Sequence, residues 1–306
     1  MKKNTLLKMN LQTFATPAEE NLTTNLGTAL SIDLAERFGL RFKSLFELLG
    51  IERIMPMASG TVIKTYTSSV TLDGTPVAPG EVIPLSEVDL EDGPTQTLTW
   101  DKKRKAVTME DIQKYGFDRA VTMTDNKLVG EIQKGVRAKL LAQLATGTGT
   151  ATGEGLQMAM AQNWAAVSTK FGEDEIQVIS FINPFDAAEY LGKANISTQT
   201  AFGMTYVQDF LNNKIVFMHG DIPKGTIYST ADQNLIAAFA LMSGGEIGEA
   251  FDFITDETGL IGVTHDINKQ RLQAETITAY GIVLFAERLD GVVVGTITEP
   301  TAVLEV

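Results

Sequence analysis

The chain has 306 residues, no cysteine, two histidines and a formal net charge of -13 at pH 7. Its 44% hydrophobic and 21% charged residues are typical of a folded protein with one large domain or two closely packed subdomains. Disulfide bridges, thiolate catalysis and cysteine-ligated metals are excluded, and the acidic balance argues against a nucleic-acid-binding surface, which needs clustered lysine and arginine.

The first 28 residues are polar and predict an extended arm without a core of its own. Lys2 and Lys3 imitate the start of a secretory signal, but Lys8 and Asn10 interrupt the apolar stretch, so we expect no membrane-inserting segment. A helix is predicted over residues 29–52, stopping near Gly50, because apolar residues recur at spacings of three and four. These are Leu30, Leu34, Phe38, Phe42, Leu45 and Leu49.

From residue 51 to about residue 109 the pattern changes to strands and turns, which predict a long β-hairpin with an irregular tip. Residues 61–67 are rich in β-forming residues, and the Asp73-Gly74 pair is typical of a hairpin turn. Prolines and glycine at 76–84 interrupt regular pairing. An isolated two-stranded ribbon is marginal in water, so this hairpin must lie on another surface, in the same chain or in a neighbour.

The strand resumes over residues 95–109, with Leu98 and Trp100 expected on one face, and it carries the dense basic run Lys102-Lys103-Arg104-Lys105. An acidic stretch, residues 87–92, comes just before it. Three interpretations are open: solvated or mutually paired clusters within the chain, a contact between the two clusters on neighbouring copies, or a DNA contact. The first is the usual fate of surface charges, and the net acidity speaks against the last.

A long helix is predicted to open at the capping-box-like residues 122–125 and to end at Gly147. Its apolar stripe consists of Val129, Ile132, Val136, Leu140 and Leu144. Gly130 and Gly135 suggest close packing. The Gly/Thr-rich residues 146–155 follow a helix and lack the strict glycine spacing of a dinucleotide-binding loop, so they predict a flexible connector.

The remaining sequence mixes helices and strands. Residues 156–167 predict a helix, residues 175–182 a strand, and Asn183-Pro184 the start of another helix. Further strands are expected at 214–218, 226–228, 273–287 and 292–297, the last two joined by Asp290-Gly291, whereas 235–241 fits either a strand or a helix. Helices and strands do not alternate strictly, so the fold class is α+β and a doubly wound parallel sheet is disfavoured.

No catalytic, cofactor or metal site is expected. His219 and His265 are far apart in sequence and outside metal-binding motifs, so each is interpreted as an isolated turn or surface histidine. The serines lack a nucleophile-elbow motif. Asp252, Asp256 and Glu257 lie close together in sequence, as expected for turns of an acidic protein.

Three stretches and the order of the elements resemble a known family. Met9–Ala15 is similar to the opening of capsid proteins from phages of Gram-positive hosts, Val77–Leu85 to the end of the family's extended loop, where Glu often replaces Pro79, and Arg271–Phe285 to its late peripheral segment. Together they resemble the major capsid protein of tailed phages, the Hong Kong 97 fold, over nearly the whole chain.

The resemblance implies an N-terminal arm (1–28), an N-terminal helix (29–52), an extended loop (53–95), a peripheral domain (96–153 and 263–306) with a spine helix at 124–146, and an axial domain (154–262). It implies self-assembly through pentamers and hexamers into an icosahedral virion shell that encloses DNA without sequence-specific binding, made in the host cytoplasm. We expect a portal and a separate scaffolding protein as partners, since about 28 residues are too few for a scaffolding segment, and no membrane partner.

Candidate inter-subunit contacts follow from the same resemblance, together with the charge clusters. They are Lys64, Tyr66, Val77, Pro79, Glu81, Ile83, Lys102, Lys103 and Arg104. Some relatives cross-link a loop lysine to an asparagine of a neighbour, and Lys64 is the candidate here; the alternative is an exposed lysine that protects a strand edge.

Three alternatives to a phage capsid stay open. An encapsulin-like cellular compartment shares the fold and would load enzymes instead of DNA. A soluble carboxylate-dependent hydrolase would be a monomer with a ligand-binding cleft. A surface adhesin is disfavoured by the interrupted N-terminal apolar stretch.

Overall fold

A computed structural model describes residues 23–299 except 72, 75–79, 83–84, 86, 173–175, 194–196, 243–247 and 249. The predicted arm up to residue 22, and the candidate contacts Val77, Pro79 and Ile83, lie outside the described residues. The described helices are α1 (Thr23–Leu48), α2 (Met109–Tyr115), α3 (Phe117–Leu144), α4 (Gly155–Phe171) and α5 (Pro184–Lys193).

The strands form four sheets among the described residues. They are β1 (Arg53–Met57), β2 (Val62–Thr71), β3 (Glu87–Thr97), β4 (Asp101–Thr108), β5 (Gly149–Glu154), β6 (Val178–Ile182), β7 (Gln199–Ala201), β8 (Met204–Phe210), β9 (Asn213–Met218), β10 (Thr226–Ala231), β11 (Leu235–Ala240), β12 (Ile261–Asn268), β13 (Gln273–Tyr280), β14 (Ile282–Ala286) and β15 (Val292–Thr298).

The largest sheet has the strand order β5-β15-β10-β6-β9-β8-β7 and lies between two helical layers. Alternation along its strands divides the apolar side chains between its two faces. Ile182, Val216 and Ile227 belong to the cluster that α4 and α5 cover. Phe181 and Phe217, on the other face, belong to the main core with α1 and α3. Four of the six strand pairings in this sheet are antiparallel and two are parallel, so the α+β class is confirmed.

Two small sheets complete the body, with the orders β1-β11-β14 and β12-β13-β4, while β2 and β3 form a two-stranded ribbon. The strand predicted over residues 95–109 is wrong as one element. The strand is interrupted at residues 98–100, where Leu98 is buried. As a result, β3 pairs with β2 whereas β4 pairs with β13. The short helix α2 follows, and the Thr108 hydroxyl caps it by accepting a hydrogen bond from the Asp111 amide.

Both long helices were predicted with the wrong starts, and their predicted stripes are buried except at Leu30, which is partly buried. α1 begins at Thr23, within the predicted arm, and ends just before Gly50, which has a φ of +59°. α3 begins at Phe117, so the capping-box-like residues 122–125 lie inside it. The predicted stripe from Val129 to Leu144 is buried. Gly130 does not serve close packing within the chain, because a Cβ there would meet no atom within 4 Å; the same holds for Gly135.

The predicted flexible connector is an ordered strand. Residues 149–154 form β5, which pairs in parallel with β15. Its glycines serve packing: a Cβ at Gly147 would lie 2.6 Å from Val292, and one at Gly153 would lie 2.4 Å from the Ala159 backbone nitrogen. Small residues at an edge strand have no apolar alternation, so periodicity did not reveal it.

Pairing in the last third crosses the predicted domain boundary at residue 262. β15 lies between β5 and β10 in the large sheet, although its residues were assigned to the peripheral domain. The predicted strand 273–287 is two strands, β13 and β14, which belong to different sheets and separate at Gly281. Residues 235–240, which fitted either a helix or a strand, form the buried strand β11.

Candidate assembly surfaces

The β2–β3 ribbon confirms the predicted hairpin, but it begins at Val62, because residues 53–57 form β1 in the β1-β11-β14 sheet. Its register runs from Val62 opposite Thr97 to Thr71 opposite Glu87, so the connection spans residues 72–86 and is much longer than a two-residue turn at Asp73-Gly74. Within the described part of the chain, neither strand pairs with any other. The outer edges of both strands therefore offer unpaired backbone groups.

The base of the ribbon is anchored in the body. Ile63 is buried in an apolar cluster with Ile236, Ala238 and Phe285 of the β1-β11-β14 sheet. Leu98, just after the ribbon, is fully buried and exchanges backbone hydrogen bonds with Thr61 and Gly60. These contacts fix the position from which the ribbon leaves the body.

A β-bulge separates the anchored base from the outer ribbon. Lys64 opposes Thr95 and Tyr66 opposes Asp92, so Thr65 alone faces two residues, Gly93 and Pro94. A Cβ at Gly93 would lie 2.4 Å from the Thr65 hydroxyl oxygen, so glycine permits this close approach. A bulge bends the strand and strengthens its twist, which directs the outer ribbon.

Beyond the bulge, apolar side chains are half or almost fully exposed in the part of the chain that the structure describes. Tyr66 is 53% exposed, Val88 57%, Val82 93% and Leu85 95%. Alternation along β3 places Val88 on one face of the ribbon and the exposed carboxylates Glu87 and Asp89 on the other. The outer ribbon is thus partly apolar and partly acidic. Lys64 and Glu81 are also exposed.

The basic run lies on β4, an edge strand of the β12-β13-β4 sheet. Arg104 forms a bidentate ion pair with Glu275 of the same chain, and its hydrogen bonds lower the pKa of Glu275 to about 2. Lys105 turns inward to Asp125. Lys102 and Lys103 are exposed, and no ion pair among the described residues includes them. The described basic and acidic residues therefore do not pair with each other within one chain.

Asp125 is the centre of a buried polar cluster that the sequence did not reveal. Its carboxylate lies 2.7 Å from Lys105 Nζ and 3.1 Å from His265 Nε2, and it accepts a hydrogen bond from the Thr276 hydroxyl. Burial alone raises the pKa of Asp125, but hydrogen bonds from His265 and Lys105 outweigh it, so this pKa is below the ordinary value. Burial lowers the pKa of Lys105. The cluster ties α3 to β4, β12 and β13.

His265 is neither isolated nor at the surface, contrary to the prediction. Its Nδ1 lies 2.7 Å from the Ser31 hydroxyl oxygen, and its Nε2 faces Asp125. A serine, a histidine and a carboxylate in line are also found in hydrolases. Here Ser31 is only 1% exposed, and its hydroxyl donates a hydrogen bond to the Gly27 carbonyl and accepts one from the His265 amide. Such a hydroxyl is a structural group that fixes α1 on β12.

The other expected turn residues fit their assignment. His219 follows β9, and its Nδ1 accepts a hydrogen bond from the Asp221 amide, as expected for a turn histidine. Asp256 accepts hydrogen bonds from the Thr258 hydroxyl and the Gly259 amide in a turn.

Among the residues described, no group of histidines and carboxylates could hold a metal ion. In the same part of the chain, no helix combines the length and apolarity needed to span a membrane.

Solved structures share the fold of this chain at low sequence identity. No protein-family model matches the chain, and no curated protein is similar to it in sequence. The capsid of cyanophage P-SCSP1u matches with a TM-score of 0.52 at 11% identity, over 81% of this chain and 86% of the phage chain. The mature capsid of bacteriophage PhiM1 matches with a TM-score of 0.51 at 8% identity, over 83% and 87%.

An encapsulin from Synechococcus elongatus is similar at a TM-score of 0.47 and 12% identity, over 84% of this chain and 90% of that chain. The two phage capsids, with TM-scores above 0.5, show that the described chain has the Hong Kong 97 capsid fold. The predicted resemblance to tailed-phage major capsid proteins is confirmed at the level of the fold.

Proposed function

We propose that this chain is the major capsid protein of a tailed phage or prophage, which assembles with copies of itself into an icosahedral head around DNA. The observation that carries the proposal is the outer ribbon, an arm that is anchored at its base and exposes apolar side chains among the described residues. Assembly through pentamers and hexamers, with a portal and a separate scaffolding protein, belongs to the same proposal.

Energetics favour a ribbon that is covered by a neighbour. Full burial of a valine or leucine side chain stabilises by about 1.5–3 kcal/mol, and Val82 and Leu85 obtain almost none of this from their own chain. A two-stranded ribbon is marginal when it is alone in water. A closed shell supplies the missing cover, because each copy presents one surface to a neighbour and receives a different one.

The proposal assigns the described elements to the domains of the capsid fold. The ribbon would be the extended loop, α3 the spine helix and the β12-β13-β4 sheet the peripheral domain. The large sheet with α4 and α5 would be the axial domain, now including β5 and β15 because they pair within that sheet. Residues 1–22 would be the N-terminal arm.

An encapsulin-like compartment is the alternative with the same fold. The stretches Met9–Ala15 and Val77–Leu85, which resemble phage capsid proteins, favour the phage assignment. Nuclease-protected DNA inside particles isolated from the native source would support a phage head. Particles that carry a co-encoded enzyme and no DNA would contradict it.

Negative-stain electron microscopy and light scattering of the purified protein test shell formation. We expect ring-shaped oligomers or irregular shells that become uniform when a scaffolding protein is added. Uniform shells from this chain alone would remove the scaffolding part of the proposal. A monodisperse monomer over a wide concentration range would refute the proposal as a whole and favour the hydrolase alternative.

Deletion of residues 70–84 tests the ribbon itself. We expect a subunit that keeps its circular dichroism spectrum and melting temperature, because the anchored base and the core stay intact, but that no longer assembles. Replacing the same residues by a glycine-serine linker of equal length is the matched control for chain length, and it should fail in the same way. Particle formation by either variant at the wild-type level would contradict the role of the ribbon.

A further inference from the structure

We infer, on the basis of the proposed function, that the acidic part of the ribbon docks on the basic edge of a second copy of this chain. The acidic part is defined by Glu87, Asp89 and Asp92, and the basic edge by Lys102 and Lys103 at the start of β4. The partner is therefore another copy of the same subunit, recognised by opposite charge.

Three carboxylates of the acidic part form no ion pair among the described residues. Residues 87–92 contain Glu87, Asp89, Glu91 and Asp92 in the sequence. Glu87, Asp89 and Asp92 are exposed, and no ion pair among the described residues includes any of them. Like charges on one short strand repel one another, so an opposite charge from outside would stabilise them.

The basic edge has the complementary property. Arg104 and Lys105 are held by Glu275 and Asp125 and thereby fix β4. Lys102 and Lys103 precede them, exposed and without an ion pair in the described structure. Because β4 is an edge strand, both long side chains can reach a segment that lies along this edge, and its outer backbone groups are unpaired as well.

The fold separates Glu87, at the outer end of the ribbon, from Lys102 and Lys103 of the same chain. A strand rises about 3.4 Å per residue, so Glu87 lies roughly 34 Å along β3 from Thr97 at the base. The chain then changes direction at residues 98–100, and β4 joins a different sheet. The ribbon therefore places its carboxylates at a distance from the lysines of β4 in the same chain, where a neighbouring molecule can contact them.

Charge also selects which face of a neighbour receives the ribbon. The whole chain has a net charge of -13, so most of a second copy repels an acidic arm. Exposed ion pairs are individually weak, about 0.2–1 kcal/mol, and are screened by salt. The acidic docking thus directs the ribbon and accelerates assembly, while apolar side chains such as Tyr66 and Val88 supply the affinity.

Charge reversal and its repair test the inference. One variant combines Glu87→Lys with Asp89→Lys, a second combines Lys102→Glu with Lys103→Glu, and a third carries all of these changes. We expect at least a tenfold slower assembly, measured by light scattering at low salt, for each of the first two. The third variant should recover to within about threefold of wild type, because opposite charges again face each other between copies.

A matched control separates a specific contact from an effect of net charge. Lys127→Glu with Lys134→Glu, on the exposed side of α3, changes the net charge as much as the second variant and should assemble like wild type. Circular dichroism of each variant verifies the fold. If the wild-type chain does not assemble at all, the proposed function fails. If it assembles, and the reversed variants match it or the combined variant stays as defective as its parents, only this docking is refuted.

Discussion

Replacement of Asp125 by asparagine tests whether the buried charged cluster holds α3 to the sheet beneath it. Asp125 is 1% exposed and Lys105 14% exposed, with 2.7 Å between carboxylate and ammonium. Asparagine keeps the shape of the side chain but removes the charge. Lys105 then stays in a mostly buried site with only neutral partners, the Thr124 hydroxyl and the Val121 carbonyl.

The magnitude follows from the options that remain for Lys105. Removing one partner of a buried ion pair costs about 3–5 kcal/mol. Lys105 can escape this cost by losing its proton, which at pH 7 takes about 4.6 kcal/mol from an ordinary pKa of about 10.4. This escape sets an upper limit, so the expected loss in the free energy of unfolding is about 3–4.6 kcal/mol.

Urea unfolding of unassembled subunits, followed by circular dichroism, measures this loss. The matched control is Asp101→Asn, which removes the partner of Lys139 in an exposed pair and should cost no more than about 1 kcal/mol. Combining Asp125→Leu with Lys105→Met should recover much of the loss, because an apolar pair leaves no unpaired charge. Equal effects of Asp125→Asn and Asp101→Asn would refute the reasoning.

Three further predictions concern the core, a backbone contact and pH. Leu140→Ala should lower the free energy of unfolding by about 2–5 kcal/mol, since Leu140 is 1% exposed; a loss under about half a kcal/mol in urea titrations would mean that the stripe is not buried. Gly153→Ala should lower the free energy of unfolding by about 1–3 kcal/mol, because the new Cβ would meet the α4 backbone. The matched change Gly130→Ala should raise it by up to about 1 kcal/mol. Thermal melting compares the two variants, and equal shifts in melting temperature would contradict the contact at Gly153. Because the pKa of Glu275 falls from 4.5 to about 2 on folding, the stabilisation that Glu275 provides is complete above pH 4.5 and is lost as the pH falls towards 2. Glu275→Gln should therefore make the melting temperature depend less on pH over this range. An unchanged pH dependence would argue against the pair with Arg104.

Several elements followed from local patterns in the sequence. The buried stripes of α1 and α3 recur every three or four residues, and helix packing preserves this period. The Asn183-Pro184 pair starts α5, where the Asn183 side chain accepts a hydrogen bond from the Phe185 amide. Both signals act over a few residues, so no knowledge of distant contacts was needed.

The starts of the helices and the Gly/Thr-rich strand could not be predicted from local sequence patterns, because they depend on neighbours that are distant in sequence. β5 is ordered by β15, more than a hundred residues later. Asp125 has the spacing of a helix cap but is buried by contacts with Lys105 and His265. A capping pattern describes only the adjacent turn, whereas burial depends on which strands fold over it.

The sequence by itself determined that the chain is a cysteine-free, acidic α+β protein with two long amphipathic helices and a hairpin too thin to be stable alone. Only the tertiary structure decided that the outer hairpin lies uncovered, that Lys102 and Lys103 stay unpaired among the described residues, and that β15 joins the large sheet. The physical reason is that periodicity and turn chemistry are local, while strand pairing, burial and ion pairing join residues whose separation along the chain carries no signal of their contact.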